Sequence, residues 1–145
     1  MHHLQRIIAA AILVGACATE PPTALDALPD EDLTPLMSPG VVIRFEGAGT
    51  HLGSGTGTLT IEGTRARLEL GSDFVVDGVP GPYLYLATTT DPNTGVSLRI
   101  GPLRQNNGSQ VYTFLVPAGL RFSWVLVWCE PFNVPVAQAP IPASP

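Results

Sequence analysis

The sequence predicts an all-β fold, an antiparallel β-sandwich or partly open barrel of about seven to eight short strands. Three observations point there. From residue 41 onward apolar residues recur with a period of two rather than 3.6. Fifteen Gly and fifteen Pro punctuate the 145 residues, spaced as turns between short runs. Only 13% of residues are charged while 45% are hydrophobic, a balance of neither a disordered acidic chain nor a helical bundle.

Taken in order, Val41 to Glu46 is a short, mostly apolar strand and Thr56 to Ile61 a second. Glu62-Gly63 then reads as a hairpin turn into a third strand, where Ala66, Leu68 and Leu70 alternate with Arg65, Arg67 and Glu69. Pro82 to Ala87 and Val96 to Ile100 follow, separated by the turn residues Asp91-Pro92-Asn93-Thr94-Gly95. Val111 to Val116 is another strand. Phe122 to Cys129 is apolar on both parities, which predicts a central strand covered on both faces. Asn133 to Gln138 reads as an edge strand, because Pro135 cannot donate to a ladder on both sides.

The chain before this region is built differently. Met1 to Arg6 carries one Arg, Ile7 to Val14 is unbroken apolar sequence, and Leu13-Val14-Gly15-Ala16-Cys17 places small residues before a cysteine. Eight apolar residues cannot span a bilayer that requires about 20. This pattern is similar to the lipobox of bacterial lipoproteins, in which the cysteine is acylated and becomes the first mature residue; a soluble secreted protein is the alternative. The expected organisation is a signal peptide over residues 1–16, lipidated Cys17 with a flexible, Pro-rich and acidic tether over 17–40, and one β domain over 41–142. Thr23 to Leu33 could form a short helix within that tether. The expected location is the cell envelope, outside the cytoplasm, with the lipid holding the protein on the outer membrane or the periplasmic face.

All seven basic residues are Arg, against twelve carboxylates. Such an acidic surface argues against nucleic acid and against electrostatic attachment to anionic lipid. The partners expected are the membrane, through the acyl chains, and a redox or surface protein not named by the sequence.

Candidate chemistry is sparse. If Cys17 is acylated, Cys129 is the only thiol left and has no intramolecular disulfide partner. It reads either as a small buried hydrophobe, sharing a face with Val125 and Val127, or as a redox thiol or soft ligand. Glu130 beside it favours the protonated thiol. His51 is the one histidine after Cys17, in a Gly-rich loop, and reads either as a loop residue or as a second participant beside Cys129. No C-x-x-C-H and no paired metal-ligand spacing exists, so a haem or metal at Cys129 has no support from spacing, and the cofactor and metal stay unknown. The glycines of Gly53-Ser54-Gly55 and Gly71-Ser72 read as bends, without the strand-to-helix setting of a nucleophile elbow. Asp73 and Asp77 could cap turns as easily as bind a cation. No general base, nucleophile and oxyanion donor occur together, so a carrier or accessory is expected rather than a turnover enzyme.

The order of pieces carries a resemblance. His51-Leu-Gly-Ser54-Gly55, Asp73-Phe74, Gly81-Pro82-Tyr83-Leu84-Tyr85-Leu86, Gly101-Pro102-Leu103, Asn107-Gly108-Ser109-Gln110-Val111-Tyr112, Pro117 and Val127-Trp128-Cys129-x-x-Phe132-x-Val134 together resemble the DM-thirteen domain, over about residues 41–141. That family also occurs beside DOMON domains in Skeletor-type animal proteins. The resemblance implies electron transfer centred on a cysteine, as a bare thiol or holding a prosthetic group such as haem, and that cysteine maps onto Cys129. Two departures weaken the carry-over: Gly81-Pro82-Tyr83-Leu84 stands where the family commonly has Gly-Pro-Asp-Leu, and Pro135-Val136-Ala137 replaces a more usual Phe-Gly pair. The rival expectation is a non-catalytic surface binding or assembly module in which Cys129 is core packing.

Overall fold

The computed structural model describes residues 35–143. The signal segment, Cys17, the Thr23 to Leu33 stretch and most of the expected tether lie outside them. Nine antiparallel strands form one continuous, nearly closed barrel-like sheet: β1 (Val41–Gly47), β2 (Gly53–Glu62), β3 (Arg65–Leu70), β4 (Val75–Val76), β5 (Pro82–Ala87), β6 (Ser97–Pro102), β7 (Gln110–Leu115), β8 (Trp124–Cys129) and β9 (Val134–Pro140). Across the sheet the order is β6-β5-β8-β9-β1-β2-β3-β7, and β4 pairs with β2 off this path. Of the two forms that the alternation allowed, the chain adopts the barrel-like one, with a single inner face enclosing the core.

Alternation decides which side chains enter that core. Ile43 and Phe45 of β1, Leu59 of β2, Ala66, Leu68 and Leu70 of β3, Leu84 and Leu86 of β5, and Val125, Val127 and Cys129 of β8 all belong to one buried cluster. Each aliphatic side chain so removed from water contributes about 1.5–3 kcal/mol before its ordering cost is counted. The β2–β3 hairpin is where the sequence put it, with Leu59 opposite Leu68 and Ile61 opposite Ala66. Its turn sits one residue later than expected: Glu62 still pairs with Arg65, and Gly63 takes the left-handed conformation at φ 62°. Gly55 is required for a different reason. A Cβ there would lie 2.4 Å from the Phe74 Cα, because the 71–74 turn crosses directly over β2 and brings Phe74 edge-on to Phe45 at 5.0 Å between ring centroids.

Strand β8 is central, as its two-sided apolar pattern predicts, lying between β5 and β9 with five of its six residues buried. The edge-strand expectation for the Asn133 to Gln138 segment is overturned: β9 lies between β8 and β1. Pro135 fits there because the register between β8 and β9 shifts between Val127 and Trp128, skipping Val136. At such a bulge the ladder is already interrupted, so the missing proline N–H costs little.

The true ends of the sheet are β6 and β7. The connection between them folds back on β7: the Arg104 guanidinium donates to the Val111 carbonyl at 2.8 Å, and Gln105 and Gln110 exchange two hydrogen bonds. At the other end of the described chain, the Met37 and Ser38 amides donate to the Glu62 carboxylate, although the Met37 side chain is exposed.

Candidate functional site

Cys129 closes β8 on its inner face, opposite Pro82 of β5 and Val134 of β9. Only 1% of its surface is exposed, and its thiol donates to the Pro80 carbonyl at 3.1 Å. Pro80 belongs to the coil that joins β4 to β5, where Gly78, Pro80 and Gly81 are exposed. On the side of Pro80 the thiol thus meets coil rather than another strand. That coil is fixed at its far side too, since the Glu130 amide donates to the Gly81 carbonyl at 3.2 Å.

His51 lies in the β1–β2 connection, half-buried, with its Nδ1 3.6 Å from Asp77 Oδ2. The same carboxylate oxygen accepts the Leu52 amide at 2.7 Å, and the Asp77 amide in turn donates to the Leu52 carbonyl. Asp77 thus pins one loop to another. Asp73 does similar work, accepting both the amide and the hydroxyl of Thr56, and these bonds hold its carboxyl below the usual range. His51 and Cys129 each meet the β4–β5 coil, at Asp77 and at Pro80, and no hydrogen bond joins them. Among the described residues no three His, Cys, Asp or Glu side chains come together as metal ligands.

A haem on Cys129 does not fit this packing. The thiol belongs to the cluster that includes Val125, Val127 and Leu84, with Val134 packed against it, and it donates to a backbone carbonyl. The two depressions lined by Trp128 and Asn133 on the outer face do not reach it.

The polar chemistry lies on the opposite face of the same strands. Because neighbours alternate, Trp128 points away from Cys129, in a cross-strand row with Tyr83 of β5 and Pro135 of β9. Its indole N–H donates to Asn133 Oδ1 at 3.1 Å. Glu130 grips Arg99 of β6 through two hydrogen bonds, 2.6 and 2.8 Å, and also accepts the Tyr85 hydroxyl. The guanidinium lies 3.6 Å from the centroid of the Tyr83 ring. Hydrogen bonding from Arg99 holds the Glu130 carboxyl below the usual range, while burial and then Glu130 raise the Tyr85 phenol. The Glu130 carboxylate expected to act on Cys129 is thus engaged on the outer face.

Sequence reasoning placed Trp128 on the face opposite Cys129 but missed Tyr83, Tyr85, Arg99 and Asn133 as a group. The signal was present in part: Tyr83 and Tyr85 alternate with Leu84 and Leu86, so they had to face outward together. What joins them to Arg99 and Asn133 is the strand order, which alternation does not encode.

A family model described as Electron transfer DM13 matches residues 45–141. No curated protein and no solved structure matches the chain. The family match covers most of the sheet, from β1 through the end of β9, including Cys129, His51 and the outer-face residues. The chain belongs to the electron transfer DM13 family.

Proposed function

We propose that the protein is a lipid-anchored, extracytoplasmic accessory of electron transfer in which Cys129 is the redox-active residue. The observation that carries this reading is the position of the thiol: the family is one of electron transfer, and Cys129 meets the Asp77 to Gly81 coil at Pro80, held there by one weak S–H donor bond. The lipobox-like Leu13 to Cys17 segment supports the anchor and the compartment.

With two cysteines in the chain, one of them in the anchoring motif, Cys129 exchanges electrons with another molecule. The chemistry is thiol–disulfide exchange: the thiol loses its proton, the thiolate attacks a partner's disulfide, a mixed disulfide forms and the partner's second sulfur leaves as a thiolate. Access requires local opening of the 77–81 coil, the kind of sub-global motion that costs less than unfolding. His51, on the same coil through Asp77, is the second participant and biases that opening.

The test is the alkylation rate of Cys129 in the native full chain, followed alongside global unfolding and the visible spectrum. Labelling well ahead of unfolding, faster still in Asp77→Ala, supports the reading. Labelling that tracks global unfolding overturns it. A second reading has its own observation: 1% exposure within the core cluster is what packing alone produces. On that reading the protein is a surface binding or assembly module, and Cys129→Ser alters stability without altering function.

A further inference from the structure

Two depressions of about 540 and 310 Å3 lie side by side on the outer face and share Trp128 and Asn133 as lining. The larger also reaches Asp91 and Gln138, and the smaller Asn93, Tyr85 and Glu130. We propose that this divided groove binds a neutral saccharide chain, one sugar unit on each side of Asn133. The inference stands apart from the redox reading of Cys129, which faces the other way.

The argument begins with the orientation of one amide. An indole N–H can only donate, so the Asn133 atom 3.1 Å from Trp128 Nε1 is the oxygen. That oxygen also accepts from Asn93 Nδ2 at 2.8 Å. The second fixed point is Asp91, whose Oδ1 accepts both the Asn93 amide at 2.8 Å and Asn93 Nδ2 at 2.9 Å. A carboxylate at one end and an indole at the other therefore set the polarity of every group between them.

The consequence is a defined set of unused valences. Asn133 Nδ2 keeps two N–H donors without a partner among the described residues, and Asn93 Oδ1 and Asp91 Oδ2 remain as acceptors. Adjacent sugar hydroxyls each donate and accept, so donors and acceptors alternating along a groove suit them, while a long apolar side chain has no pocket to enter. Tyr85, partly exposed in the smaller depression, supplies an aromatic wall for the C–H face of a ring, while Trp128, 6% exposed, acts from beneath by fixing the Asn133 amide. Arg99, beside the smaller depression, is already neutralised by Glu130, and Asp91 disfavours an anionic ligand.

Among the described residues Asn133 is also the one other than Gly held at positive φ, 52°. Asn tolerates that region better than most residues, and the β8–β9 turn uses it to lift the amide over the indole.

The test is a magnetic-resonance titration of the isotope-labelled full chain with cellohexaose, maltohexaose and chitohexaose, and with an acidic oligogalacturonate as the contrasting probe. The expected result is saturable movement of the Trp128 indole and Asn133 side-chain signals with at least one neutral probe. Asn133→Asp keeps the acceptor for the indole and the turn conformation but removes both donors. It should weaken binding by about tenfold, the worth of one or two neutral hydrogen bonds. Unchanged signals elsewhere on β8 and β9 and an unchanged melting temperature in the free variant report that the site is intact. No movement with any neutral probe, binding of the acidic probe alone, or unchanged affinity in Asn133→Asp each overturns the proposal.

Discussion

Strands β3 and β8 are both six residues long and both feed the same core, yet they present opposite surfaces to the outside. β3 alternates buried Ala66, Leu68 and Leu70 with Arg65, Arg67 and Glu69, which reach solvent. β8 is buried from Val125 to Cys129 on both parities, its outer side chains covered by neighbours from β5 and β9. The β3 pattern is what a one-sided sheet needs in order to fold. Covering the second face of β8 adds packing beyond the inner core, since Leu126 and Trp128 are buried there, and the groups around them are aromatic rings, amides and an ion pair. The difference separates strands that the core alone stabilises from one that is packed on both faces.

The sharpest way to break that comparison is to remove one outer side chain from each side. Trp128→Ala should cost about 3–5 kcal/mol in chemical denaturation, whereas Thr113→Ala, on the exposed outer side of β7, should stay within about 0.5 kcal/mol. Equal losses would mean that the outer face of β8 carries no special packing.

On the inner face, Cys129→Ser should cost about 1–3 kcal/mol, with the Pro80 carbonyl available to the new hydroxyl. Loss of electron exchange with little further loss of stability would separate the redox reading from packing.

A smaller effect belongs to the turn. Asn133→Ala should cost about 1–2 kcal/mol, and Asn133→Gly should recover about 1 kcal/mol of it, because Gly pays no penalty at φ 52°. No difference between the two variants would place the whole cost in the lost hydrogen bonds.

The smallest effect is electrostatic. Glu130 and Asp73 both titrate below their usual values in the folded protein. A carboxyl depressed on folding adds stability that is present in full above its unfolded value and is lost as pH falls through the folded one. Stability should therefore hold above about pH 5 and decline below it. Glu130→Gln should flatten part of that decline, and added salt should have little further effect on the variant.

The strand positions were legible in the sequence because one buried face imposes a period of two, and the turn residues between runs are unmistakable in a chain with this much Gly and Pro. β4 was not legible: two residues, Val75 and Val76, carry no period. The central place of β9 was hidden by Pro135, whose usual reading as an edge marker fails where a bulge has already broken the ladder. Of the site, parity showed Cys129 and Trp128 on opposite faces. The linkage of Asp91, Asn93, Asn133 and Trp128 depends on two turns from different hairpins meeting across β8, and nothing local in either turn announces the other.

The sheet is nearly closed but not closed, and that leaves β7 with a row of backbone groups facing no strand. In most folds such an edge invites a second molecule to continue the ladder, and growth from it needs no particular sequence. Here the 103–109 connection reaches one of those groups, the Val111 carbonyl, through Arg104, and is itself tied down by the Gln110 side chain at Gln105. One arginine thereby acts as a stop signal for intermolecular pairing, and it does so with a charge that an incoming strand would have to strip of water and displace. At that point of the edge the protection comes from a loop rather than from the sheet itself.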